Sequence, residues 1–135
     1  MMKWYPKYSV GFKIIDEQHR KFFETYNKLN DAYLQGEAPE KLEAVLKELT
    51  EYTEQHFATE EKYFKEFQYE GAEEHIVQHD IFRAQVANFK KKFQESKDLS
   101  QLINEIIDLL DSWLIDHVIK MDHKYIDCFK EHGLI

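Results

Sequence analysis

The chain has 135 residues, 18 lysines and arginines against 26 aspartates and glutamates, a formal net charge of −8, and only 4 glycines, 2 prolines and 1 cysteine. That length suits one domain able to bury roughly two-thirds of the surface its unfolded form exposes, and the lone Cys128 excludes an internal disulfide. The acidic balance argues against nucleic-acid binding and against an anionic membrane surface, an aromatic content of 15% with few turn formers disfavours disorder and turn-dense β folds, and 7 histidines are left unexplained.

Residues 1–15 are aromatic and aperiodic, broken by Pro6 and Gly11. They read as an extended arm whose Trp4, Tyr5, Tyr8 and Phe12 need a surface to pack on. Helical spacing begins near Asp16, where Ile15, His19, Phe22, Phe23, Tyr26, Leu29 and Tyr33 recur every three or four residues up to Gly36, predicting a helix over roughly 17–35. Pro39 suits the first turn of a second helix, 39–66, striped by Leu42, Val45, Leu46, Leu49, Tyr52, His56 and Phe64. After Gly71 a third helix, 71–95, carries His75, His79, Phe82, Val86 and Phe89 and ends in a lysine-rich turn. The fourth, 99–131, carries Leu102, Ile106, Leu110, Trp113 and His117, and Gly133 closes it. Four helices of about 20 residues or more, each about 30 Å long and joined by short connections, predict an all-α, antiparallel up-down-up-down four-helix bundle with an N-terminal extended arm. No run approaches the roughly 18 apolar residues of a spanning helix, and the N-terminus leads into no signal-peptide core, so a cytoplasmic chain without membrane insertion is expected.

Most of the histidines fall on the apolar stripes, where solvent-facing polar residues are not expected. His19 lies in the first turn of the first helix. His56 and Glu60 are four apart on the second, about 40° around the axis, so both side chains aim at one point. His75 and His79 repeat that spacing on the third helix, and His117 continues the Leu110–Trp113 stripe of the fourth. A single such histidine reads as a hydrogen-bonded core residue. Several imidazoles pointed into one bundle core would each need desolvation and a partner unless they share a metal. With one cysteine a thiolate site is excluded, and five histidines plus carboxylates exceed the four ligands of a closed structural zinc site. Imidazole with carboxylate suits iron, manganese or a second zinc, and the excess over one coordination sphere argues for two ions. A zinc protease is disfavoured because Ile76, not Glu, follows His75; a ferritin-like diiron oxygenase is disfavoured because no Glu stands three residues before any histidine.

The segments Ile15-Asp16-Glu17-Gln18-His19, His56-Phe57-x-x-Glu60-Glu61, His75-x-x-x-His79 and His117-x-x-x-x-Asp122-x-x-Tyr125 resemble the hemerythrin family in order and spacing over nearly the whole chain. The opening Trp4 through Tyr8-Ser9-Val10-Gly11 is similar to the free-standing bacterial members, the bacteriohemerythrins. The resemblance implies a single hemerythrin-like domain with a non-haem centre of two iron ions, bridged by an oxo or hydroxo group, that binds dioxygen reversibly for storage or transport. It implies that His75, His79 and His117 hold one iron, that His19 and His56 hold the other, and that Glu60 and Asp122 bridge them. Asp122 is placed by the resemblance alone: five residues after His117 it would lie about 140° away around a regular α-helix.

Two octahedral irons offer twelve positions; five imidazoles, two bridging carboxylates and one bridging oxygen fill eleven. The open position belongs beside His19 and His56. Phe22, Phe23, Phe57, Trp113, Leu114 and Val118 are the residues expected to keep a dioxygen pocket dry. His123 and His132 read as helix-end residues, Cys128 as a passive thiol, Glu61 as a solvated neighbour, and Gln78 as a departure at a position often acidic in the family. The expected role is a carrier rather than an enzyme, with delivery to oxygen-consuming enzymes. The alternatives are dioxygen or redox sensing through a separate partner, or a peroxidase-like or nitric-oxide-scavenging diiron enzyme.

Overall fold

Four long helices dominate the computed structural model, which describes residues 4–95 and 99–135, with backbone alone considered at Leu114 and Ile115. They are α1 (Lys13–Leu34), α2 (Ala38–Glu66), α3 (Ala72–Glu95) and α4 (Ser100–Trp113), the last continued through two tighter or wider turns into α5 (Ile126–Glu131). No strand occurs among the described residues, and the chain forms a four-helix bundle. None of these helices is long and apolar enough to cross a membrane.

Each helix forms where its apolar residues fall on one stripe and face the others. On α1 this stripe is Ile15, His19, Phe22, Leu29 and Ala32; on α2 it is Leu42, Val45, Leu49, His56, Glu60 and Phe64. The tight reversal between them uses Gly36 at φ 74°, with the Glu37 N–H donating to the Ala32 carbonyl at 2.8 Å. Pro39 occupies the first turn of α2, where a missing N–H costs nothing.

The arm is shorter than the sequence suggests, because α1 starts at Lys13 rather than near residue 17. Asp16 is not the entry to the helix but its clamp: its carboxylate accepts the Val10 N–H at 2.9 Å and the Ser9 hydroxyl, fixing the chain one turn earlier. Residues 1–3 of the arm lie outside the described residues. Of the rest, Pro6–Tyr8 forms a single 3-10 turn, and Trp4 and Tyr8 both pack on Phe23 with centroids at 5.3 Å.

The fourth helix departs most from a regular α period. Between α4 and α5, Leu114–Met121 is π-helical and Asp122–Tyr125 is a 3-10 turn. The Asp122 N–H donates to the His117 carbonyl, five residues back. Such widened turns are rare and concentrate where a side chain has to be re-aimed. The apolar interior is divided accordingly. A large cluster including Phe22, Leu49, Phe57, Phe82, Ile106 and Trp113 fills one side, and a smaller one of Val10, Phe12, Ile15, Phe64, Tyr125 and Phe129 caps the other.

Candidate metal centre

Seven polar side chains sit in the bundle core: His19, His56, Glu60, His75, His79 and Asp122 are fully buried, and His117 is 1% exposed. They come from α1 (His19), α2 (His56, Glu60), α3 (His75, His79), the π-helical segment (His117) and the 3-10 turn (Asp122). Their ligating atoms form two groups, each within 4.8 Å: His19, His56 and Asp122 in one, Glu60, His75, His79 and His117 in the other.

Asp122 joins the groups. Its Oδ2 lies 2.7 Å from His19 Nε2 and 3.6 Å from His56 Nε2, while its Oδ1 lies 2.9 Å from His75 Nε2 and 3.0 Å from His117 Nε2. Glu60 also reaches both, with Oε1 at 3.0 Å from His56 Nε2 and 3.1 Å from His79 Nε2. The π-helical turn explains how Asp122 arrives: bonding to the fifth residue rather than the fourth stacks Asp122 over His117, where an α-helix would have turned it about 140° away.

These atoms fit a metal better than they fit one another. Asp122 Oδ1 has two imidazole nitrogens within 3.0 Å yet makes no hydrogen bond with proper geometry, and Glu60 Oε2 also has no hydrogen-bond partner among the described residues. The Nε2 atoms of His19 and His56 face each other at 3.2 Å, and those of His75 and His117 at 3.1 Å. Lone pairs thus converge on shared points, the requirement for coordination and an expensive arrangement without a cation. The donor set is nitrogen and carboxylate oxygen without sulfur, which suits iron or manganese.

Both carboxylates stay ionised despite their burial. Burial pushes the Glu60 carboxyl up, as does Asp122, but the His56 imidazole and hydrogen bonds from His56 and His79 more than reverse this, so it stays ionised. Burial likewise opposes ionisation of Asp122, and His117, His19 and His56 hold it well below the usual range. Burial pulls His56 down, yet Glu60 and Asp122 together lift it to about 10, while burial keeps His117 below its ordinary value.

Two of the imidazoles are oriented from behind. The His79 Nδ1–H donates to Glu61 Oε2 at 2.8 Å, and Arg83 Nη2 donates to the same oxygen at 2.9 Å. Glu61 is therefore not the solvated neighbour its sequence position suggests: one residue beyond Glu60 it turns toward α3 and meets the back of His79. The His56 Nδ1–H donates to Gln18 Oε1 at 2.8 Å; Gln18 Nε2 donates to Thr59 Oγ1, whose hydroxyl donates to the Gln55 carbonyl. That sequence of donors fixes the Gln18 amide with its oxygen toward the imidazole. Both contacts engage Nδ1 and leave Nε2 turned toward the core. Gln18 and Arg83 carried no signal in the sequence, because neither spacing nor composition says which residue stands behind an imidazole.

Stacked rings hold three of the imidazoles. Phe57 stacks on His79 (3.8 Å, 6°) and Trp113 on His117 (3.8 Å, 10°), so both lie against the three-histidine group. On the other side Tyr52 stacks on His56 (5.2 Å, 15°), and Phe22 packs on Tyr52 at 5.6 Å. Phe23 faces the arm, Val118 is buried in the larger cluster, and the Leu114 side chain lies outside the described residues. His123 and His132 belong to neither group. His132 instead stacks on Phe67 at 4.7 Å and its Nδ1–H donates to the Cys128 carbonyl. Gln78 is exposed.

A helical bundle that gathers five imidazoles and two carboxylates into its core, from α1, α2, α3 and the segment between α4 and α5, defines a metal-binding bundle protein. The family model described as the hemerythrin HHE cation-binding domain matches residues 10–129. The bacteriohemerythrin of Pseudomonas aeruginosa is 32% identical over 127 residues, 94% of this chain and 80% of that protein. The bacteriohemerythrin of Clostridium acetobutylicum is 33% identical over 132 residues, covering 94% of this chain and all of its own length, and that of Stenotrophomonas maltophilia is 32% identical over 98% of this chain and 84% of its own. The chain belongs to the hemerythrin family.

Proposed function

We propose that this protein binds dioxygen reversibly at a non-haem centre of two iron ions, as a storage or delivery protein for oxygen-consuming enzymes rather than as an enzyme. The observation that carries the reading is the unequal division of the donors: three imidazoles on one side, two on the other, with Asp122 presenting one oxygen to each. In this reading His75, His79 and His117 hold one iron, His19 and His56 hold the second, and Glu60 and Asp122 span the pair. Bound there, the irons would supply the electrons that dioxygen takes up on binding and returns on release.

What the protein does follows from its own side chains. The two carboxylates carry the negative charge that favours cations at a site otherwise hostile to them. Glu61 and Gln18 hold His79 and His56 in the tautomer that coordinates through Nε2. Phe22, Phe57, Trp113 and Val118, all buried, exclude water, which would otherwise carry off a reduced ligand before it could be released unchanged.

The test is a gas cycle on iron-loaded protein, reduced without air, exposed to dioxygen, then evacuated, with the visible spectrum followed throughout. A charge-transfer band that appears with dioxygen and vanishes on its removal over repeated cycles supports the carrier. One irreversible oxidation overturns it.

A further inference from the structure

Tyr52 stands one helical turn before His56, with its ring stacked on that imidazole at 5.2 Å and 15° and only 4% of the residue exposed. Its hydroxyl is buried and has no hydrogen-bond partner among the described residues. The Asp122 and Glu60 carboxylates act on it electrostatically, and the neighbouring Trp113 indole N–H likewise has no well-formed hydrogen bond. Phenylalanine would fill this place and leave no polar group behind, so an unpartnered hydroxyl in a core of this density calls for a partner that is not part of the chain. The indole N–H can only donate, so Trp113 offers the phenol hydrogen no acceptor. The same residue also lines a cavity of about 200 Å³ between α1 and α2, together with Thr25, Lys28, Glu51 and Gln55. Tyr52 thus touches a surface groove on one side and the two-histidine group on the other. Tyr125, fully buried against His75 at 5.7 Å, also has a hydroxyl without a hydrogen-bond partner among the described residues, but its ring packs on the three-histidine group rather than on His56.

We propose that Tyr52 is the hydrogen-bond donor to the small ligand taken up beside His19 and His56, and that it selects ligands carrying an acceptor on their outer atom. This rests on the reading of the core as a two-iron centre with its open position on the two-histidine side. It adds to that reading a polar contact in a pocket otherwise lined by apolar side chains. Small anions with a terminal acceptor, such as azide, are the class that gains most from such a donor.

The probe is azide. Iron-loaded, oxidised wild-type protein and Tyr52→Phe are titrated by visible absorption, and the azide stretch is recorded by infrared in H₂O and D₂O. Wild-type protein is expected to show a deuterium shift of the bound stretch. The variant is expected to keep two irons per chain, lose that shift and bind azide about tenfold more weakly, the effect of one charge-assisted hydrogen bond. Azide affinities equal within about twofold, with no deuterium shift in either protein, overturn the proposal. Loss of iron from the variant also overturns it, by assigning the hydroxyl to assembly of the centre. If Tyr52→Phe does not fold, the wild-type deuterium shift decides alone, and its absence overturns the proposal. A wild-type chain that takes up no iron overturns the reading beneath it; a chain that takes up iron and azide but ignores the Phe substitution overturns the role of Tyr52 alone.

Discussion

The two halves of the core differ in donor number and in what stands behind the donors. The three-histidine half is braced by charge and by aromatic faces. Glu61 and Arg83 fix His79 from behind, the Arg83 guanidinium lies 5.0 Å over the Phe57 ring, and Phe57 and Trp113 stack on His79 and His117. The two-histidine half is held by neutral groups: the Gln18 amide behind His56 and the Tyr52 ring over it. A carboxylate partner makes an imidazole a stronger donor than an amide does. One half is thus the more rigidly braced, the other the more loosely held, and the two share Asp122 and Glu60 as a common wall.

Asp122→Ala breaks the comparison outright, because it removes an oxygen from each half; iron content is expected to fall from two per chain to one or none, read by metal analysis after gel filtration. His56→Ala separates the halves instead. The three-histidine iron should remain while the second is lost and dioxygen binding disappears, and a variant that keeps two irons and normal binding would contradict the division. Removing a partner from behind the rings has a smaller effect. Glu61→Ala should weaken iron binding about 10- to 100-fold and Gln18→Ala by less than about tenfold, measured by competition with a chelator; the reverse order would contradict the contrast between charged and neutral support.

Helix spacing alone nominated His19, His56, Glu60, His75, His79 and His117, because an α period of 3.6 places each on a buried stripe. The same period hid Asp122. No residue pattern announced that Leu114–Met121 would widen to five-residue bonding, and only the family resemblance marked the position. Glu61 and Gln18 were illegible for another reason: which face of one helix meets the back of an imidazole on another depends on how the helices are rotated together. The spacing puts the start of α1 too late because Asp16 holds Ser9 and Val10 across the breaker Gly11, a contact visible only once the chain is folded.

The smallest predicted effect is in the iron-free protein. Asp122 and Glu60 are held below their unfolded values, so their contribution is present above about pH 4 and is lost as the pH falls through and below the carboxylate range. His117, also lowered, adds a loss as the pH falls below its unfolded value near 6.5, and His56, raised to about 10, adds one as the pH rises from there toward 10. Denaturant midpoints should therefore peak in weakly acidic solution and fall on either side of it, most steeply once the pH drops below about 4. Iron should flatten this profile on both sides.

The unequal division of the centre is tested most directly by a crystal structure of the iron-loaded protein in azide, with iron located by its anomalous scattering. Two iron peaks are expected, with azide on the one held by His19 and His56 and its outer end toward Tyr52. A single iron peak, or azide on the iron held by His75, His79 and His117, would contradict it.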